Sequence, residues 1–225
     1  MSVDWLAYAP LILKAAGTTL WLSWLAMLLG AVGGTAVAAL RMSRFRPLRL
    51  LALVYTEFWR SVPILIVLFF AYFGLPLLLG FDISTFAAAT IALALHASAT
   101  MSEVVRAGVA SVGRGQWEAA QAAGFGPLQV VRYVIAPQAI RVVLPPSIGV
   151  FITTLKESSL ASVIGYIELT KTGLLIREST DGGFVPLLAL AVIYFLINYA
   201  ISLLGGVLER RYHIGRKAET VGAMA

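Results

Sequence analysis

Residues 118–137 read EAAQAAGFGPLQVVRYVIAP, and this stretch interrupts an otherwise strongly hydrophobic chain. Residues 118–123 favour a helix, and Gly124 can take the left-handed backbone that ends one. Gly126 and Pro127 then turn the chain, and Pro127 can begin a second short helix. The stretch predicts a compact helix-turn-helix segment suited to docking on another protein. An ordinary amphipathic turn on a membrane surface is the alternative.

The composition indicates a membrane protein. Hydrophobic residues make up 60% of the 225 residues and charged residues only 12%, whereas a soluble domain averages roughly 25% charged residues. Cysteine is absent and there are two histidines, so disulfides, thiol chemistry and a zinc site are not expected. The net charge is +6, and the basic residues lie beside apolar runs. This favours membrane topology over nucleic-acid binding as the explanation of the charge.

Charged residues divide the apolar sequence into five runs of the roughly 20 residues that a membrane helix needs. The predicted spans are about 15–40, 61–81, 83–105, 142–167 and 183–208. In the first span, Gly30 and Gly34 have the spacing that lets two helices approach closely. The predicted fold class is an all-α integral membrane protein, with an external segment at 1–14, a membrane domain at 15–209 and a tail at 210–225.

The distribution of basic residues predicts the orientation in the membrane. Twelve lysines and arginines lie on one side of the predicted spans and three on the other. The richer side is expected to be cytoplasmic. The amino terminus is then outside, and the loop at about 111–137 and the carboxyl terminus are cytoplasmic. The amino terminus carries Asp4 and no basic segment, which is not typical of a cleaved signal peptide.

Lys156 and Glu157 interrupt the fourth span, where an ionised side chain costs at least ~2.5 kcal/mol. Successive helical residues point about 100° apart, so these two do not simply neutralise each other. Ser158 and Ser159 follow and offer hydroxyls and a possible helix break. The functional hypothesis is that Glu157 meets a substrate ammonium, while Lys156 or backbone donors meet a carboxylate. The alternative is a structural ion pair, for instance between Lys156 and Glu103.

His96 lies in the middle of the third span and could line the same path. A buried histidine bonded to a neighbouring carbonyl is the alternative. Pro145, Pro146 and Gly149 predict that the fourth span is irregular throughout. Local ion pairs are expected where opposite charges are three residues apart, namely Glu103 with Arg106 and Glu57 with Arg60.

Residues 108–115, GVASVGRG, approach a P-loop but have Arg in place of its Lys and Gly in place of its Ser or Thr. The groups that reach the phosphates and hold magnesium are therefore missing. This chain is expected to be no enzyme, and any ATP hydrolysis is expected on a separate protein.

The opening stretch resembles the cytoplasmic signature of ABC importer permeases, which reads EAA, three residues, Gly, nine residues and I-x-L-P. The matching residues are Glu118, Ala119, Ala120, Gly124 and Pro137. Val134 and Ala136 replace the apolar Ile and Leu of the pattern. In that family the short helix is the coupling helix, which fits a cleft on the ATP-binding subunit.

Most of the chain resembles the polar amino-acid branch of that family, the histidine, glutamine and arginine type of permease. The similar segments keep one fixed order: FWRSVP at 58–63, YFGLP at 72–76, EVVRAG at 103–108, GQWEAA at 115–120, PQA at 137–139, LKESSL at 155–160 and EL at 168–169. His96 occupies a position where the family often has Asn, which hints at altered selectivity.

The resemblance implies a type I importer permease of about five spans in the bacterial inner membrane. It implies a second permease, identical or homologous, two copies of a separate ATPase that bind ATP and magnesium, and an external solute-binding protein. No cofactor is expected on this chain. The predicted substrate is a polar amino acid or a related small zwitterion. The alternatives are a stand-alone secondary transporter or channel with Lys156 and Glu157 as an ion relay, and a scaffold without a transport path.

Overall fold

The computed structural model describes residues 5–180 and 183–212, and in these ranges the chain is helical and contains no strand. The α-helices are α1 Trp5–Arg41, α2 Arg46–Ser61, α3 Ile64–Phe69, α4 Leu75–Leu79, α5 Thr85–Ala110, α6 Arg114–Ala122, α7 Pro127–Gln129, α8 Ala136–Glu157, α9 Leu169–Thr180 and α10 Val185–Tyr212. A π-helical segment, Phe70–Gly74, joins α3 to α4, and a second, Val130–Ile135, joins α7 to α8. A 3₁₀ helix, Ser158–Ile164, follows α8.

Within the described residues, four helical segments are long and apolar enough to cross a membrane: Trp5–Arg41, Thr85–Ala110, Pro127–Ile164 and Val185–Val207. A fifth candidate is the pair of helices Arg46–Ser61 and Ile64–Leu79, which is bent by 102°. The bend lies at Val62 and Pro63, because a residue before proline prefers extended backbone and proline cannot continue the hydrogen-bond ladder. Val62 is extended, with φ −80° and ψ 128°. The all-α membrane fold class is confirmed.

The helices do not coincide with the predicted apolar runs. The helix α1 begins at Trp5, so residues 5–14 of the predicted external segment are helical. The amphipathic helix α2 precedes the second predicted span, and α9 lies between the fourth and fifth. The predicted bounds were placed at charged residues, which mark where side chains meet water. A helix can continue beyond such a residue, because its length depends on its backbone hydrogen bonds. The span boundaries themselves stay predictions; residues 1–4 and 213–225, including His213 and most of the predicted tail, lie outside the described residues.

The fourth predicted span belongs to a much longer helical run, Pro127–Ile164. Pro127 begins the short helix α7, as predicted, but no break follows it, because π-helical backbone continues α7 into α8. The helix α8 also runs unbroken through Pro145 and Pro146, so the prediction of an irregular element there is wrong. Membrane helices tolerate such prolines when their surroundings satisfy the freed carbonyls.

The core of the bundle is the seam between α1 and α5, where small residues face each other. A Cβ built on Gly30 would lie 2.6 Å from Ala97 Cβ, and one on Gly34 would lie 2.6 Å from Met101 Cβ. The two backbones are therefore as close as glycine permits, and the predicted packing role of this glycine pair is confirmed. The seam sets α5 in the middle of the bundle, with α8 packed against its other side through Val143 and Gly108.

Candidate functional site

His96 of α5 and Glu157 at the end of α8 meet inside the bundle. The distance from His96 Nε2 to Glu157 Oε1 is 3.5 Å, and each side chain is 21% exposed. His96 Nδ1 is buried and has no hydrogen-bond partner in the described part of the chain. Two side chains that are distant in sequence thus form one polar site between two candidate spans, and both reach open space.

Lys156 does not take part in this pair. It is exposed, and among the described residues it forms no ion pair. The structural alternative that pairs Lys156 with Glu103 is therefore wrong. The prediction that Lys156 and Glu157 face different surroundings is confirmed, since adjacent helical residues diverge by about 100°.

The two serines change the helix, as the sequence suggested. At Ser158 the α-helix gives way to the 3₁₀ helix. Ser158 is fully buried and its hydroxyl donates to the Leu155 carbonyl at 2.7 Å, while the Ser159 hydroxyl donates to the Lys156 carbonyl at 2.7 Å. Both hydroxyl protons are thus used within the helix. Of the two, only Ser159 is partly exposed.

Glu103 is the centre of an ion cluster at the end of the bundle near α6. It pairs with Arg41, with Arg106 at 2.8 Å and with Arg60 at 4.0 Å. Arg60 also lies 3.8 Å from Glu57. Both predicted local pairs are confirmed. The pair with Arg41 was missed, because it joins α5 to the end of α1 and only the packed seam brings them together.

The helix α6 and the turn after it form a compact segment. Gly124 has φ +84°, the left-handed backbone that the sequence predicted. The Phe125 amide donates to the Ala120 carbonyl at 3.1 Å and the Gly124 amide to the Gln121 carbonyl at 2.9 Å. These two bonds are those of a Schellman motif, which satisfies the last carbonyls of a helix.

One face of α6 is buried and the other is free. Ala120 packs into a cluster with Val112, Val130, Ile135 and Ala139. Glu118 and Ala119 are exposed on the opposite side. Pro137 does not lie in a loop, as the predicted range 111–137 had it, but in the first turn of α8, where its missing amide costs little. The segment therefore presents a rigid exposed face.

Glu168 was not singled out as a candidate, yet it is fully buried. It precedes α9, and its carboxylate accepts the amides of Thr170 at 2.9 Å and Lys171 at 2.8 Å. The Tyr194 hydroxyl donates to it at 2.9 Å and the Thr19 hydroxyl at 3.4 Å. Burial raises the pKa of the Glu168 carboxyl, and the hydrogen bonds lower it by less. An acidic residue just before a helix was the available signal.

These features define a class: a multi-span helical membrane protein with a polar site between two spans and a rigid docking segment at one end. The sequence pattern of the family described as "Binding-protein-dependent transport system inner membrane component" matches residues 27–214. The chain belongs to this family, whose members are the permease subunits of ABC importers. A probable amino-acid ABC transporter permease, YckA of Bacillus subtilis strain 168, is 36% identical over 203 residues, which cover 90% of this chain and 89% of that protein.

Two further similar proteins are also amino-acid ABC transporter components. The probable glutamine ABC transporter permease GlnM of the same organism is 38% identical over 178 residues, covering 79% of this chain and 82% of that protein. A crystal structure of an amino acid ABC transporter with histidines has 39% sequence identity and a TM-score of 0.85, with 94% of this chain and 100% of that chain covered. The predicted type I importer fold is confirmed.

Membership of the family establishes the location of the chain, the kinds of partner it has and where ATP is hydrolysed. The chain is a multi-pass protein of the inner membrane and works with ATPase and permease partners. It is a transport subunit, and ATP hydrolysis takes place on the separate ATPase. A stand-alone secondary transporter or channel is not favoured. No group of three or more metal-ligating side chains occurs in the described ranges, and a permease subunit needs no cofactor of its own.

Proposed function

We propose that this chain is the permease of an importer for polar amino acids or related small zwitterions, and that the substrate passes beside His96 and Glu157. The observation that carries the proposal is the pair itself: a carboxylate and an imidazole 3.5 Å apart, both partly exposed, between α5 and α8. Ionisable residues inside a membrane are expensive and commonly mark a transport path. Relatives named for amino acids and for glutamine support the substrate class.

The end of α8 favours a cationic group. Glu157 is the last residue of α8, and a helix carries partial negative charge at its carboxyl end. The carboxylate and the helix end therefore act together on a substrate ammonium. Lys156, or nearby backbone donors, meets the substrate carboxylate. The partly exposed Ser159 completes the lining, and the buried Ser158 lies behind it, where α8 passes into the 3₁₀ helix. His96 limits the space beside the ammonium and provides its own polar contact, which makes it the residue expected to tune selectivity.

Coupling to the ATPase is assigned to α6 and the segment after it, through Glu118, Ala119, Ala120, Gly124 and Pro137. Glu118 and Ala119 form the exposed face, and the other three residues hold it in place. The buried Ala120 fixes the helix on the bundle, and the turn at Gly124 leads directly into the long run Pro127–Ile164. Within that run, α8 ends at Glu157. A movement of α6 is therefore transmitted to the polar site through the short turn at Gly124 and this helical run.

The full machine is proposed to contain a second permease, identical or homologous, two ATPase copies that bind ATP and Mg²⁺, and an external solute-binding protein. The amino terminus lies outside and the carboxyl terminus in the cytoplasm. Because the chain has no cysteine, Gln121→Cys on exposed α6 gives a single labelling site. A membrane-impermeant maleimide should label it in inverted vesicles and not in intact cells. Labelling of intact cells would reverse the orientation.

The substrate site is tested with Glu157→Gln in the reconstituted complex. Loss of the charge should reduce uptake at least tenfold while the complex still assembles, since the ammonium loses its counter-charge. Glu178→Gln, an exposed carboxylate on α9, is the matched control. Unchanged uptake and unchanged substrate preference in Glu157→Gln would make Glu157 a structural residue.

The coupling assignment is tested with Gly124→Val. No atom lies within 4 Å of a Cβ placed at Gly124, so the change strains only the left-handed backbone, by roughly 1–2 kcal/mol. ATP hydrolysis by the complex should persist while uptake is lost. Gly17→Val is the control, because its site is equally open and its backbone is ordinary. Undiminished uptake in Gly124→Val would count against the docking role.

A further inference from the structure

A cavity of about 640 Å³ lies at the end of the bundle that carries α6. Four arginines line it: Arg41 at the end of α1, Arg46 and Arg49 in the first turns of α2, and Arg106 near the end of α5. Arg41 and Arg106 lie at the ends of candidate spans, and the ends of membrane helices lie at the level of the lipid headgroups. His96 and Glu157 are not among the residues that line it.

The cavity has a surplus of positive charge. Arg41 and Arg106 both form ion pairs with Glu103, which also lies 4.0 Å from Arg60. Arg46 and Arg49 are exposed, and in the described part of the chain neither forms an ion pair. Two guanidinium groups are thus available, and planar guanidinium groups match the oxygens of a phosphate.

The rest of the wall is apolar. Leu50 and Leu53 of α2 line the cavity and are 60% and 39% exposed. A soluble anion would leave these side chains uncovered, whereas an anion joined to a hydrocarbon chain covers both parts of the wall. The charge and the apolar surface therefore point to one kind of occupant, an anionic lipid of the surrounding bilayer.

We propose that this cavity binds an anionic phospholipid, with the phosphate at Arg46 and Arg49 and an acyl chain along Leu50 and Leu53. The helix α2 is held to α5 by a 2.6 Å hydrogen bond between the hydroxyls of Tyr55 and Ser98 and one of 3.0 Å between those of Thr56 and Ser102. A lipid bridging α2 to Arg41 and Arg106 adds to this attachment. The bound lipid therefore stabilises the folded chain.

The test uses the full-length chain, purified in neutral detergent with any subunits that remain attached. Phosphatidylglycerol, phosphatidylcholine with the same acyl chains, or inorganic phosphate is added. Native mass spectrometry counts the bound lipid, and thermal unfolding measures stabilisation. Phosphatidylglycerol should bind and raise the melting temperature, and the other two should not. Arg46→Gln with Arg49→Gln should weaken phosphatidylglycerol binding about 25-fold, at about fivefold per arginine.

The control removes two charges elsewhere: Arg132→Gln with Arg141→Gln, exposed residues that do not line the cavity. It should leave the binding unchanged. Leu50→Gln, which keeps every arginine, should weaken lipid binding and serves if the arginine variant does not fold. Equal binding of phosphatidylglycerol in the arginine variant, or equal binding of phosphatidylcholine, would overturn the proposal. Equal stabilisation by inorganic phosphate would also overturn it and would make the cavity a simple anion site.

Discussion

Replacing Gly34 with alanine tests whether the seam between α1 and α5 holds the bundle together. A Cβ at this position would lie 2.6 Å from Met101 Cβ, 2.7 Å from the Ser98 carbonyl oxygen and 3.0 Å from the Ser102 amide nitrogen. Carbon atoms in good contact are about 3.5–4.0 Å apart, so the overlap is about 1 Å. Two of the three neighbours are backbone atoms, which cannot rotate away. The helices must therefore move apart.

The expected cost follows from this geometry. Overpacking of a filled core costs about 1–3 kcal/mol, and alanine recovers up to about 1 kcal/mol as the better helix former. Gly33 provides the control, since a Cβ there lies 3.4 Å from Ser98 Cβ, its nearest neighbour within 4 Å. Gly33→Ala gains the same propensity without the clash. The difference between the two variants, near 2 kcal/mol, is the packing term.

The assay is thermal unfolding of both variants and the parent in the same detergent. For a chain of this size 1 kcal/mol shifts the melting temperature by about 2–4 °C. Gly34→Ala should therefore melt about 4–8 °C below Gly33→Ala. Gly30→Ala should behave like Gly34→Ala, and the double variant should lose less than the sum, because the first clash already opens the seam. Equal melting temperatures for Gly34→Ala and Gly33→Ala would refute the close approach.

Two further predictions concern buried charge. Glu103→Gln leaves Arg41, whose side chain is 9% exposed, without a carboxylate partner. It should lower the free energy of unfolding by roughly 2–4 kcal/mol. Glu57→Gln affects a pair whose side chains are 43% and 56% exposed, and it should lower the free energy of unfolding by less than about 1 kcal/mol. Similar melting temperatures for these two variants would show that the Glu103 cluster is not structural. Glu168→Ala removes the acceptor of four hydrogen bonds and should lower the free energy of unfolding by roughly 2–4 kcal/mol, compared with Glu178→Ala at an exposed position. Hydrogen exchange should show faster opening of the first turn of α9. Unchanged protection of that turn would contradict the capping role of Glu168.

Local patterns in the sequence predicted much of the machinery. The turn at Gly124 was predictable because a left-handed residue favours glycine, and Gly126-Pro127 marks a helix start. The Gly30 and Gly34 pair was predictable because small residues at that spacing serve helix contact. The change of helix at Ser158 was foreseen as a possible break. Each of these depends on residues within a few positions of one another, so a single sequence contains the whole signal.

Helix lengths were harder to predict. The apolar runs were bounded by charges, yet α1 continues past Lys14 and the fourth span extends back to Pro127. Hydropathy reports where the side chains meet water, and an exposed charge does not interrupt backbone hydrogen bonds. The prolines at 145 and 146 were expected to disturb α8 and do not. Packing of the whole bundle outweighs such local preferences.

The sequence by itself determined the class of protein: apolar runs long enough to cross a bilayer, basic residues gathered at their ends, and the coupling motif between the third and fourth of them. Only the tertiary structure decided which polar groups meet. His96 lies beside Glu157, Arg41 beside Glu103, and Thr19 and Tyr194 around Glu168. These partners are separated by 26 to 149 positions, and their contact depends on how closely helices pack, which small residues permit but no local pattern specifies.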